Sequence, residues 1–256
     1  MKKIVLLGVI AAVLVIVAAV MNSGSKPNGA RLNGKKVIAD LDVGKVARIE
    51  AGDKLKLAAG DNGWTIESYF GYPADHKKTV ENLLKLTELK VGQVARGQKI
   101  DKPLSLKLFD EKGGELAALE LGEKHSKWGR GRYAKFSGET VLVSDTLDAF
   151  DGDAKSWCET KIVDEPWISF NEVMDPAADA AKYGFATGIT AKVTIAGDTN
   201  RVITVGNAVK EGGDRYIKLD GADWVYTVSS YSVEKFLPKK EEPKTEEPKT
   251  EEPKKD

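Results

Sequence analysis

The stretch LKLFDEKGGELAALELG, residues 106–122, is followed by RYAKFSG at 132–138 and TVLVS at 140–144. The same skeleton returns as KVTIAGDTNRVITVG at 192–206, RYIKLDG at 215–221 and WVYTVS at 224–229. Gly122 answers Gly206, and Arg132, Tyr133 and Lys135 answer Arg215, Tyr216 and Lys218. Gly138 answers Gly221, and Val143-Ser144 answers Val228-Ser229. Self-similarity exposes the building unit of a chain. Two copies are too few for a solenoid, so the repeat predicts two related lobes.

Each copy reads as two hairpins and a closing helical turn. Leu104, Leu106 and Leu108 alternate with polar residues, Lys112-Gly113-Gly114 turns, and Leu116, Leu119 and Leu121 return. In the second copy Val193 and Ile195 go out, and Val202, Ile203 and Val205 return. The second hairpin folds across Ser137-Gly138 or Asp220-Gly221, where a turn needs positive φ. Leu147 and Phe150 close the first copy, and Val233, Phe236 and Leu237 the second. Alternation is read as placing Tyr133 and Tyr216 on the core face. Arg132, Lys135, Arg215 and Lys218 are then turned outward as a candidate ligand site.

Ahead of the first copy, Val46–Glu50, Lys54–Ala59 and Trp64–Glu67 alternate apolar and polar residues around Gly52-Asp53 and Asp61-Asn62-Gly63. This predicts three antiparallel strands. Asp75 then caps a helix whose apolar stripe is Val80, Leu83, Leu84, Leu86 and Leu89, ending near Gly92. The fold class expected is α+β: mainly antiparallel sheets in two related strand-rich units, with one long amphipathic helix. The first unit is expected over 35–150, a connector over 151–185 and a shorter second unit over 186–238.

Both ends differ from this body. Residues 4–20 form an apolar run broken only by Gly8, after Lys2 and Lys3. At ~1.5 Å per residue such a helix spans ~25 Å, near the shortest bilayer crossing. Two readings fit: an uncleaved signal anchor over 1–21 and a cleaved signal peptide. No Cys follows the run, which excludes a lipoprotein. The anchor is the reading adopted, with the lysines inside and the body outside the cytoplasm. Residues 22–34, rich in Asn, Ser and Gly, read as a tether. Residues 239–256 repeat Glu, Pro, Lys and Thr with no apolar residue, and disorder is the expectation there.

The 256-residue chain carries 39 basic and 39 acidic residues, interspersed. No basic stripe suggests nucleic acid. The single cysteine, Cys158, has no internal disulfide partner. His76 and His125 lack a Cys or carboxylate at helical metal-pair spacing, so neither a metal nor another cofactor is expected. No nucleophile elbow or Walker motif occurs. Gly129-Arg130-Gly131-Arg132 precedes a strand rather than a helix, so Arg130 reads as part of a basic hairpin tip. Trp128, Trp157 and Trp167 fall in loops. Trp128 and Trp167 are the candidates for stacking on a sugar.

Four segments together resemble a known bacterial family: GWTIESYFGYPAD at 63–75, VENLLKLTELKVGQVA at 80–95, GRGRYAKFSGETVLVSD at 129–145 and KYGF at 182–185. It is the "domain of unknown function" family numbered four-three-four-zero, and the resemblance spans roughly 46–236. It implies one N-terminal membrane helix and an extracytoplasmic body of repeated strand-rich units. It also implies a place beside ABC transporter components of the gliding type. No catalytic residues come with it. The function expected is a non-enzymatic accessory or scaffold protein at the bacterial inner membrane, contacting lipid through residues 4–20 and possible transporter subunits through its body. The alternatives are an envelope glycan-binding module and a hydrolase using a pair of carboxylates.

Overall fold

The computed structural model describes residues 32–125, 131–175, 180–211 and 213–234. The chain divides into two compact units, the first running to Glu159 and the second beginning at Thr160.

The first unit is built on a nine-stranded antiparallel sheet. Its strands are β1 (Arg48–Ala51), β2 (Leu55–Gly60), β3 (Gly63–Ile66), β4 (Tyr72–Pro73), β5 (Val91–Val94), β6 (Leu104–Phe109), β7 (Glu115–Lys124), β8 (Arg132–Phe136) and β9 (Glu139–Val143). They lie in the order β4-β3-β2-β1-β6-β7-β8-β9-β5. The period of two sends Ile49, Leu55, Leu57, Ile66, Leu106, Leu108, Leu121, Val141 and Val143 into the core. Helix α1 (His76–Glu88) starts where Asp75 Oδ1 accepts the Lys78 N–H at 3.0 Å, and buries Leu83 and Leu86. Phe150 and Trp157 pack with ring centroids 5.5 Å apart, and the Trp157 indole N–H donates to the Ala149 carbonyl at 3.1 Å.

The second unit opens with a small hairpin, β10 (Lys161–Val163) and β11 (Ile168–Ser169). A five-stranded antiparallel sheet follows, made of β12 (Glu172–Met174), β13 (Ile189–Ile195), β14 (Asp198–Ala208), β15 (Arg215–Leu219) and β16 (Val225–Val228), in the order β12-β16-β15-β14-β13. Two one-turn helices, α2 (Ala180–Tyr183) and α3 (Ser230–Val233), flank it. Tyr183, Tyr216 and Val225 form a core cluster against Met174 and Phe185. The Tyr183 and Tyr216 rings meet edge to face at 4.9 Å, and the Tyr183 hydroxyl donates to the Asp175 carbonyl at 3.1 Å. This arrangement gives a buried tyrosine both an aromatic neighbour and an acceptor.

The repeated sequence is a repeated topology. β6–β9 and β13–β16 are both four-strand meanders, and each is joined at its far edge by the strand that precedes it, β5 on β9 and β12 on β16. Even the irregularity repeats. The β7–β8 register shifts between Leu121↔Ala134 and Lys124↔Arg132, and the β14–β15 register shifts between Val205↔Ile217 and Ala208↔Arg215. Gly122 and Gly206 sit in these two bulges.

Several expectations are corrected. The fold is mostly antiparallel sheet rather than α+β with a long amphipathic helix. Among the described residues there are three α-helices; α1 has 13 residues and the other two have four each. The expected stripe fails at both Leu84, which is exposed, and Leu89, whose backbone has already turned extended (φ −65°, ψ 121°). The segment expected as a connector is itself folded: residues 151–159 belong to the first unit, while residues 160–174 supply β10, β11 and β12 of the second. The expected anchor (1–21), most of the tether (22–34) and the tail (239–256) lie outside the described residues, as do Phe236 and Leu237. Among the described residues no helix is long and apolar enough to cross a membrane.

Candidate interaction site

A strand spacing of three puts Arg132 and Lys135 on opposite faces, and likewise Arg215 and Lys218. The expected outward quartet therefore does not form. Arg132 points inward and is 5 % exposed. Its Nε donates to the Gly122 carbonyl at 2.7 Å, and its Nη1 lies 2.7 Å from Asp151 Oδ1. Lys124 Nζ meets Asp151 Oδ2 at 3.0 Å and also pairs with Asp148, which accepts the Thr146 hydroxyl at 2.7 Å. The hydrogen bond from Lys124 is the main reason the Asp148 carboxyl is held below its ordinary range; the same contact, aided by Asp151, raises the Lys124 ammonium. These acids and bases are matched to one another. They clamp the 3-10 turn Asp148–Asp151 onto the β7 bulge.

The second copy keeps the arginine, but the residue opposite it differs. Ala208 stands opposite Arg215 where Lys124 stands opposite Arg132. The Nε of Arg215 is buried with no hydrogen-bond partner among the described residues. A cavity of about 160 Å³ beside it is lined by Gly184, Thr187, Gly188, Gly206, Asn207 and Arg215, among others. Asn207 itself donates from Nδ2 to the Lys182 carbonyl at 3.1 Å.

The other candidates are dispersed. Lys135 donates to the Thr140 hydroxyl at 3.0 Å, within its own hairpin. Lys218 is exposed on β15. Arg130 and Trp128 lie outside the described residues. Trp157 is a core residue, whereas Trp167 is 64 % exposed, with Lys161 Nζ 5.2 Å from its ring centre. Among the described residues no group of three or more His, Cys, Asp or Glu could hold a metal. Cys158 is buried, and burial pushes its thiol up to about 12. A larger cavity, about 490 Å³, opens among the hairpin ends of the first unit; Lys45, Arg48, Asp61, Asp110 and Glu111 line it with mixed charge.

The residues that sequence reasoning missed lie at a sheet edge. β13 ends its sheet, and among the described residues the backbone hydrogen bonds on its outer side are those with Asp164 and Glu165, next to β10: Asp164 N donates to Thr194 O at 2.9 Å and Thr194 N to Glu165 O at 3.0 Å. The period of two then leaves the backbone groups of Thr190 and Lys192 directed away from β14. Trp167 follows Glu165 in the same loop and is exposed, with Lys161 over its ring. The comparison of β13 with β6, its repeat counterpart, was the one signal for this edge, and it needs the strand order to be read.

No curated protein and no solved structure matches this chain. One family model matches residues 167–248, a narrower span than the resemblance read from segments beginning near residue 46. That span opens at Trp167 and includes β12–β16. The family model matched over residues 167–248, which hold the second copy of the repeat, is that of the Domain of unknown function (DUF4340).

Proposed function

We propose that this protein is a non-enzymatic extracytoplasmic accessory or scaffold protein, held at the inner membrane by residues 4–20 and associated with an envelope ABC transport system. The observation that carries the contact role is the edge of β13, which has no strand partner at Thr190 and Lys192 among the described residues. An unpaired edge is a ready template for another chain, and soluble proteins normally cover or blunt one. The membrane and transporter parts draw on the apolar N-terminal run and on the resemblance to the family. Anchoring would confine the protein and a membrane partner to one plane and raise their encounter rate.

The test is in-cell crosslinking, detergent extraction and pull-down of the full chain, against a version directed to the same compartment by a cleavable signal in place of residues 1–22. Transporter subunits recovered with the anchored form and depleted with the soluble form support the reading. Recovery of cell-wall fragments alone overturns it. That result would favour the second reading, a glycan-binding module, for which exposed Trp167 is the specific observation. Trp167→Ala should then abolish pelleting with isolated cell wall.

A further inference from the structure

The two copies of the repeat differ in what covers their first strand, and the difference names a partner. β6 and β13 hold the same place: Leu104 faces Leu121 as Ile189 faces Val205, and Lys107 faces Ala118 as Lys192 faces Val202. The outer side of β6 is filled by β1. Gly52 N donates to Ser105 O at 2.8 Å, and Ala47 N donates to Phe109 O at 2.8 Å. In that pairing Ile49 lies opposite Leu108, Glu50 opposite Lys107 and Ala51 opposite Leu106. Thr190 and Lys192, both exposed, are the counterparts of Ser105 and Lys107. Among the described residues no carboxylate pairs with Lys192.

Resting on the protein-contact reading above, we infer that the β13 edge accepts an extended antiparallel strand from a partner protein, with an acidic residue opposite Lys192 and apolar residues opposite Ala191 and Val193. The first unit supplies the template for register, since Ile49, Glu50 and Ala51 stand opposite Leu108, Lys107 and Leu106; there Lys107 also has Glu115 within 3.9 Å and Glu50 has Arg48 within 3.4 Å. Backbone hydrogen bonds would supply affinity and the alternating side chains specificity. Trp167 would serve as an aromatic anchor beside the added strand. A second copy of β13 fits less well, because ITAKVTI (189–195) offers a lysine and no acid to meet Lys192.

The probe is a synthetic peptide with the sequence of residues 46–52, VARIEAG, added to the full-length protein. Amide hydrogen exchange is read at Thr190 and Lys192. The peptide should protect both amides, and a peptide with Lys at the position of Glu50 should bind more weakly. Lys192→Glu should weaken the acidic peptide about fivefold, the scale of a cross-strand charge pair, and restore the lysine peptide. Thr190→Pro removes an outward N–H at a position where an edge strand tolerates proline. It should abolish protection of Lys192 while leaving the thermal transition in place. Should that variant fail to fold, the charge swap alone decides.

Equal binding of both peptides, or protection of neither amide, overturns the proposal. So does protection that appears without peptide and grows with protein concentration, since a second copy would then occupy the edge. A chain that captures transporter subunits yet ignores the peptide overturns the strand-addition site and leaves the scaffold role standing. Peptide binding without subunit capture does the reverse.

Discussion

The Arg132 Nε donates to the carbonyl oxygen of Gly122 at 2.7 Å, so two residues marked by the sequence repeat bond directly to one another. The bond crosses the β7 bulge and ties it to the turn that carries Asp151. In the second copy Gly206 and Arg215 keep their places, but the Arg215 Nε has no partner among the described residues. Arg132 is thus a structural clamp, and among the described residues Arg215 makes no corresponding Nε bond.

Arg132→Met should destabilise the first unit by about 3 kcal/mol, the low end for breaking a buried ion pair, because Lys124 still compensates Asp151. Arg215→Met should change stability by less than ~1 kcal/mol. Denaturant unfolding of the two variants checks this. Equal losses would contradict the assigned difference.

The two bulge glycines should also differ. A Cβ on Gly206 would run into the backbone carbonyl of Tyr183 and the Phe185 ring, neither of which moves without displacing the core cluster. A Cβ on Gly122 would meet only the Ile100 side chain, 2.9 Å away. Gly206→Ala should therefore cost about 2 kcal/mol or more and Gly122→Ala about 1 kcal/mol or less, by the range for overpacking. Thermal melts of both variants give the order.

Cys158 should be inert in the folded chain. It is buried, and its thiol is pushed up to about 12 by desolvation, then by Asp153. The thiolate is the reacting species. Alkylation at mildly alkaline pH should be undetectable under native conditions and complete in denaturant. Rapid native labelling would mean that the Cys158 region opens.

The Lys124–Asp148 pair sets a pH window. Asp148 is depressed below its ordinary 3.8, so its contribution is present above that value and is lost as pH falls through the depressed one. Lys124 is raised above its ordinary 10.5, so its contribution is present below that value and is lost as pH rises through the raised one. Both groups are largely solvent-exposed, which keeps the effect on stability small. The Asp148 carboxyl titration, followed by NMR, should move up towards 3.8 in Lys124→Met. An unmoved midpoint would contradict the pairing.

Much of the fold was legible where two signals agreed. Alternation and turn glycines together located β1–β3 and both meanders, and Asp75 marked the start of α1. Single signals misled. Leu89 extended the helical stripe, but the chain turns there to place Val91 in β5. β5 and β12 are short, and they pair with strands far along the chain, which no local pattern reports. Pro166 and the loop tryptophans hid β10 and β11, because proline at a hairpin tip looks the same as proline in a connector. Alternation around Tyr133 reads Arg132 as outward, but its guanidinium is buried because the Gly122 carbonyl and the Asp151 carboxylate, both remote in sequence, are there to receive it. The edge of β13 is legible only by comparing the two copies: the second lacks the leading strands of the first, and the absence marks an open edge once the strand order is known.

The most direct measurement is photocrosslinking in cells from a photo-reactive amino acid at Lys192 of the full chain. The account predicts a discrete protein adduct that Thr190→Pro removes, with an acidic residue close to the crosslinked site on the partner. An adduct consisting only of glycan, an adduct with another copy of this chain, or no adduct would contradict it.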